Sequence, residues 1–524
     1  MQPATQFADA DRRLIADRWK ARFKGWLAPF TLLACGIFLY LQVFVLPATP
    51  RVAIGDQAIY LHHAVRMLEG EMIYRDYDHF TLPGTDVVYM TLFKLFGVRA
   101  WIPQAMLMVL GTSMLALVSF ISRRLIIGRS YLLPGLLFVA LPFSSYLDAT
   151  HHWYSTVATT AALAVVLEDR SFSRLLGAGF FLGLATFFTQ SAGLLAVGFA
   201  FFLLWELRRE GQTWGLLLKK EAALLFSYVA TTTACVAYFV WAVGLKKVLY
   251  YTVVFVVKYY PADSFNTWRG YLMGRPQLRV WTTWLDAPAF TLVHLIVPFV
   301  YIAFLVVGAH RSTAQSGKTW NRLMLVNVTG LSLFLTVASA PVYNRLYAVS
   351  APALILLVWL LESSPRLDRA PLRLFWLLLF LVVIARPLVT QMRWTRYLDL
   401  PTGHTAFFES APYEKCKWML ERTRVSDYFF GDHLISFTLR LRNAGRVPFL
   451  RPTDYTRPEE VEDAIQGLER FKVQFVSWYS GLDRGREEDR DPGNHLAPIR
   501  LYLREHYHLA QTFSNGDQFW ERNQ

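Results

Sequence analysis

Gly55-Asp56-Gln57-Ala58-Ile59-Tyr60, Leu68-Glu69-Gly70, Ile73-Tyr74-Arg75-Asp76-Tyr77, Leu82-Pro83-Gly84 and Lys94-Leu95-Phe96-Gly97 mark out the stretch between the first two long apolar runs of this chain. An acid stands just past the first run, and the segments behind it are amphipathic but too charged to cross a bilayer. The run Thr85 to Phe96 is about a dozen residues long, short of the ~20 that a span needs, and it carries Asp86 and Lys94. It reads as a helix lying at an interface. The whole stretch is therefore expected to be a loop folded on a membrane surface.

Composition agrees with that reading. Apolar residues make up 54% of the 524 positions and charged residues 18%. The apolar residues arrive in blocks of about 15 to 22, close to what crosses the ~30 Å hydrocarbon core. The fold class is a polytopic α-helical membrane protein. A net charge of +14 in a soluble chain would suggest nucleic acid, but Lys and Arg here gather in short loops between apolar blocks, where they orient spans. No nucleic-acid partner is inferred. Cys35, Cys235 and Cys416 lie far apart and match neither a disulfide framework nor metal-ligand spacing. Residues 1–25 are charged and hold no apolar run, so the targeting signal is expected to be the first span, uncleaved.

Arg12, Arg13, Arg18, Lys20, Arg22 and Lys24 precede the first span, Trp26 to Leu46, and place the N-terminus in the cytoplasm. Residues 47–100 then form a first external loop. Further spans are expected at Ile102–Ile121, Tyr131–Leu147 and Trp153–Leu167. Leu175 to Leu207 is about 33 residues, too long for one crossing at 1.5 Å per residue, so it should fold as a hairpin with Gln190 at its outer tip. Ala222–Val243 follows, then a second external loop over 244–288. Four more spans, Ala289–Gly308, Leu323–Ala338, Leu346–Leu361 and Leu372–Val389, bring the expected total to about eleven. The transmembrane part thus covers 26–390. Residues 391–524 have soluble composition, and their alternating signals predict a small α/β domain on the extracytoplasmic side. Helices are expected at Pro412–Arg424 and Pro458–Phe471, and strands at Asp427–Phe430 and Val473–Trp478. It holds no Gly-rich phosphate loop.

This topology places Asp56, Asp76, Asp78, His79, His151, His152, Gln190, Lys258, Tyr259, Tyr260, Asn344 and Arg345 on one side of the membrane. Ionisable groups at membrane depth are costly and usually functional, so their convergence predicts a site at the outer surface. The first loop and the layout of the first 390 residues resemble the C-type glycosyltransferase superfamily, the GT-C enzymes, and in particular bacterial relatives of protein mannosyltransferases and aminoarabinose transferases. The resemblance implies a multi-pass enzyme of the inner (cytoplasmic) membrane that takes a sugar from a polyprenyl-phosphate donor, with inversion, and transfers it to a protein, lipid or polysaccharide acceptor. It implies that Asp56, in Gly-Asp-Gln-Ala-Ile-Tyr, is the catalytic or acceptor-orienting acid. Relatives often carry a second acid next to it; Gln57 replaces that acid here.

The other candidates have substrate-binding roles. Arg345 can neutralise a lipid phosphate bidentately, and Lys258 with Tyr259 can contact phosphate or sugar. His151 and His152 stand at a helix end where they can meet substrate, and Gln190 can satisfy the hairpin turn or touch a ligand. Asp76 and Asp78 form an Asp-Tyr-Asp, a two-residue pattern with almost no specificity for metal; either can supply the acid that the aminoarabinose-transferase branch places before a Pro-Pro. No cofactor is expected; a divalent metal is left open, but no specific motif supports one and no ligand set is assigned. The rival function, a transporter or flippase of lipid-linked glycans, predicts paired repeats and polar groups at the midplane, neither of which the sequence displays.

Overall fold

Each apolar run folds as a helix, because in hydrocarbon a backbone N–H or C=O finds its partner only along its own helix. The structure is a computed structural model and describes residues 26–277, 283–311, 317–363, 369–447, 449–482 and 493–524. The expected cytoplasmic N-terminus, 1–25, lies outside the described residues. Among the described residues six helices are long and apolar enough to cross a membrane: Trp26–Val43 (α1), Trp101–Ser122, Gln190–Arg209, Trp214–Val243, Ala287–Val307 and Ala370–Arg393. Shorter or less apolar helices, Gly128–Phe143, His151–Val166, Phe172–Phe188, Gly317–Val337 and Ala351–Ser363, occupy the other expected spans. Trp214–Val243 leaves most of its apolar surface open, with Trp241 83% exposed, as a helix facing lipid does.

One expected span differs from the sequence reading. The segment expected as one span from Leu346 is broken: a short helix, Tyr343–Ala348, ends at Val349, and a new one starts at Ala351. Pro352 fits the break, since it has no N–H to donate to Ala348 O, which accepts from Thr156 Oγ1 instead. Arg345 therefore sits in a separate buried turn rather than at the head of a span. The hairpin does turn at the expected place, through a tight 3-10 segment, Gln190–Gly193, with Phe172–Phe188 on one side.

The first loop contains two helices, Asp56–Leu68 (α2) and Gly84–Phe96 (α3), which pack on each other. Leu95 and Phe96 are exposed while Tyr89 and Phe93 are buried, so α3 has one face open and one in the core. Asp86, expected on the polar side of a surface helix, is instead turned inward and fully buried.

The C-terminal segment is an α/β unit. Its hairpin pairs Arg396–Leu400 (β3) with Gly403–Phe407 (β4), and its main sheet runs β6-β5-β7-β9-β8, with β5 Tyr428–Phe430, β6 Arg442–Asn443, β7 Phe475–Trp478, β8 Tyr507–Thr512 and β9 Gln518–Arg522. The pair β1 (Phe44–Val45) and β2 (Thr49–Pro50) leads from α1 toward this unit. Helices Ser410–Leu420 and Pro458–Arg470 fall within a few residues of the expected ones. The unit does not stand apart from the membrane part. Val45, Val52 and Ala58 share a hydrophobic core with Phe407, Phe429 and Phe519, and Val52 N–H donates to Ala406 O.

Candidate active site

Gly55 starts α2 with φ 68°, a left-handed backbone that glycine adopts at no steric cost, and a side chain there would stand 3.2 Å from Asp148 Oδ2. Asp56 is the first residue of α2. The N–H groups of Asp56 and Gln57 face the buried Asp148 carboxylate, and Tyr146 Oη donates to Asp148 Oδ2 at 2.9 Å. A carboxylate at a helix N-terminus is favoured by the helix dipole and by the free N–H groups there. Gln57 Nε2 meets Tyr89 Oη at 3.4 Å, and Tyr89 donates to Ala149 O at 2.7 Å, so the head of α2 is tied to the 146–149 turn on both sides.

The Asp56 side chain is open to solvent yet surrounded by protein, as at the floor of a recess, and its carboxylate has no hydrogen-bond or ion-pair partner among the described residues. Burial raises its pKa above the ordinary carboxylate range, while Arg345 and Arg451 pull it back. Burial, and then the charge of Asp56, push Asp148 well above that range.

Two cavities lie near the head of α2, and Asp56 itself lines neither; its neighbours Gly55 and Asp148 line one, and Arg345, whose charge acts on it, lines the other. One, of about 420 Å3, is mostly apolar and is lined by Thr81, His151, His152, Gln190, Tyr260 and Arg345 among others. The second, of about 400 Å3, runs from Gly55 and Asp148 past Tyr343 to Arg386, Trp394 and Glu409, where the membrane helices meet the C-terminal unit. In the first, Arg345 is pinned: Nη2 donates to Tyr260 Oη (2.6 Å) and Asn266 Oδ1 (2.8 Å), and Nη1 to Ala340 O (3.0 Å). No carboxylate lies within 4.0 Å of it among the described residues, so the anchored cation, whose charge also acts on Asp56, faces the cavity without a direct ion-pair partner. His151 Nδ1 and Tyr60 Oη share a 2.6 Å hydrogen bond, and His152 stacks 3.9 Å from His151. Gln190 Nε2 donates to Phe80 O (2.8 Å) and Thr252 O (3.2 Å), which holds both loops to the hairpin tip.

The remaining sequence candidates lie elsewhere. Lys258 is exposed with its Nζ 4.9 Å from the Tyr259 ring, and neither lines either cavity; the next residue, Tyr260, does. Asp76 is paired with Arg75 and accepts from Met72 N–H. Asp78 is buried, accepts from Tyr251 Oη and pairs with Arg446 at 3.2 Å, clamping the two loops to the C-terminal unit. The Asp-Tyr-Asp pair thus points its carboxylates at different partners and forms no shared cation site. Asp148 and Asn266 belong to this candidate site and were passed over by the sequence reading. The signal for Asp148 was its place beside the His151-His152 pair at the end of an apolar run. Among the described residues, the group of three potential ligands near enough to share one ion is His63, His79 and Asp86.

No family model matches this chain, and no curated protein matches it significantly in sequence. Solved structures match its fold. The oligosaccharyltransferase AglB from Archaeoglobus fulgidus, in complex with an inhibitory peptide and a dolichol-phosphate, aligns with TM-score 0.52 at 12% identity over 96% of this chain and 75% of that one. ArnT from Cupriavidus metallidurans, bound to undecaprenyl phosphate, aligns with TM-score 0.57 at 13% identity over 95% of this chain and 98% of that one. The chain has the GT-C fold, a helical membrane bundle carrying a small C-terminal sheet unit, as its first loop implied.

Proposed function

We propose that this protein is an inverting glycosyltransferase that moves a sugar from a polyprenyl-phosphate donor to an acceptor at the extracytoplasmic face of the cytoplasmic membrane. The observation that carries this reading is the Asp56 carboxylate at the head of α2, without an ion-pair partner among the described residues yet electrostatically coupled to Arg345, which is anchored in the mostly apolar cavity. The donor occupies the apolar cavity, its phosphate on Arg345 and its chain running out between helices. The acceptor enters from the second cavity. Asp56 draws the proton from the acceptor hydroxyl or amine as that atom attacks the anomeric carbon from the face opposite the phosphate. The carbon–oxygen bond to phosphate breaks, and Arg345 stabilises the charge arriving on the polyprenyl phosphate. The bond to the acceptor forms on the face opposite the one that breaks, so the configuration inverts. The lipid phosphates bound by the two neighbours support a lipid phosphate for the Arg345 cavity.

Mass analysis of lipid-linked and envelope glycans from cells with and without the protein tests this. Its loss should remove one glycan modification and let a polyprenyl-phosphate sugar accumulate, and Asp56→Asn should fail to restore the modification while reaching wild-type abundance. Lost acid–base groups cost about 100- to 10,000-fold in rate. Unchanged glycans, or full restoration by Asp56→Asn, would remove the assignment.

A further inference from the structure

The first loop buries a second cluster of titratable groups that the transfer reaction does not use. His63 and Asp86 are fully buried and His79 is 4% exposed. His63 Nδ1 lies 3.4 Å from Asp86 Oδ1, and His79 Nε2 lies 4.0 Å from Asp86 Oδ2. Among the described residues, neither nitrogen of His63, neither oxygen of Asp86 and not Nδ1 of His79 has a hydrogen-bond partner. Tyr77, whose ring lies 4.6 Å from that of His63, also has a buried hydroxyl without one. So many unpartnered polar atoms in one place are costly, because each gives up water and receives nothing. Burial drives Asp86 well above the usual carboxylate range and His79 down to about 3; burial, and then the neighbouring His79, His433 and Arg66, drive His63 far down.

We propose that His63, His79 and Asp86 bind a structural divalent cation of the zinc class. One ligand atom from each lies within 4.8 Å of the others. Zinc takes His nitrogen and carboxylate oxygen at ~2.0–2.2 Å in a tetrahedron, which sets ligand atoms about 3.3 Å apart. The 3.4 Å separation between His63 and Asp86 already fits, and the other edges, at most 4.8 Å, close by movement of the His79 ring and the Asp86 carboxylate. Two imidazoles with one carboxylate favour zinc over calcium or magnesium, which prefer all-oxygen shells. Full enclosure makes the site structural, with its fourth position left to an enclosed water. On binding, Asp86 is ionised and both imidazoles are neutral, so any proton on the apo carboxyl is released to solvent.

The ion would lock three pieces of the first loop together: α2 through His63, the 73–83 turn through His79, and α3 through Asp86. From there the contacts reach the donor cavity. His79 Nε2 meets Thr81 Oγ1 at 2.5 Å, Thr81 Oγ1 lies 3.2 Å from Tyr60 Oη, and Tyr60 holds His151. Ligation through Nε2 turns the Thr81 hydroxyl toward Tyr60 alone. The His62–His433 contact, 2.9 Å between Nδ1 atoms, sets the C-terminal unit directly against this cluster.

The test is the metal content of the full chain, purified in detergent without chelator. We expect about one zinc per chain, and cobalt added to the stripped protein should give the intense visible absorption of a tetrahedral ion. His63→Ala and Asp86→Asn should each reduce retained zinc by ~10-fold or more. Chelation should lower the unfolding temperature of wild type and leave that of the variants unmoved. Cobalt titration of wild type needs no variant, so misfolding of a mutant does not blunt it. A wild-type chain that neither retains zinc nor takes up cobalt, or variants that hold as much metal as wild type, would overturn the site.

Discussion

Replacing Arg345 separates charge from geometry at the donor cavity. A guanidinium has five N–H donors; three of those in Arg345 are spent on Tyr260, Asn266 and Ala340, and the other two, one on Nε and one on Nη1, are left for single contacts to a phosphate. Arg345→Lys keeps the positive charge but loses the three anchors and the fork. A hydrogen bond to a charged group contributes about 1.5–3 kcal/mol, so loss of one such bond predicts a ~10- to 100-fold fall in kcat/KM, with KM for the donor rising. Arg345→Ala loses the charge as well, and the fall should reach ~100- to 1,000-fold. Tyr260→Phe removes one anchor and leaves the guanidinium, at a cost of about 1 kcal/mol, or roughly 5-fold. The assay is initial rate against donor concentration, with purified full chain in lipid nanodiscs and a polyprenyl-phosphate sugar that wild type accepts. Because Tyr260 acts through Arg345, its penalty should vanish in the Arg345→Ala background. Wild-type KM and kcat in Arg345→Ala, or a Tyr260→Phe penalty equal in both backgrounds, would refute the reasoning.

Asp56 serves as a base only when ionised, and burial raises its pKa while Arg451 lowers it. The acid limb of kcat/KM against pH should therefore lie above the ordinary aspartate range and move to higher pH in Arg451→Gln; a limb that stays put speaks against Asp56 as the titrating group. Asp78→Ala strands Tyr251 and Arg446, and with Arg446 half-buried it should lower stability by about 1–3 kcal/mol in thermal unfolding, whereas an unchanged transition would show that the clamp holds nothing. Single cysteines at Gly128 and Gly211 should resist a membrane-impermeant thiol reagent in intact cells, and those at Thr49, Asp263 and Gly481 should react; the reverse pattern would invert the topology and move the site to the cytoplasm. Deleting the chain after Arg396 exposes Val45, Val52 and Ala58, so the truncated protein should lose donor binding together with transfer, and retention of both would show that the shared core is dispensable.

The sites of the spans were legible because a helix in hydrocarbon is decided locally: about 20 apolar residues that satisfy their own backbone need no distant partner. The same holds for Pro458–Arg470, whose Pro at the first turn and spaced apolar residues mark it in any context. Asp56, His151, His152, Gln190 and Arg345 were also within reach, since polar groups at span ends on one side are visible once the basic loops are counted. What they touch was not. Gln190 meets Phe80, Arg345 meets Tyr260 and Asn266, and Asp78 meets Tyr251 and Arg446, all across long stretches of chain.

By itself, then, the sequence determined the class of protein, the positions of its apolar helices, the α/β character of its C-terminal unit and the end of the bundle where charge collects. Only the tertiary structure decided that Asp148 stands against the head of α2, that Lys258 and Tyr259 face away from both cavities, that Asp86 turns inward to two histidines, and that the C-terminal unit closes a core with the first loop. The physical reason is one of range. Hydrophobic length and helical hydrogen bonds are properties of neighbouring residues, whereas a carboxylate's role is set by whichever charges and dipoles packing brings beside it, and nothing in its neighbours along the chain encodes those.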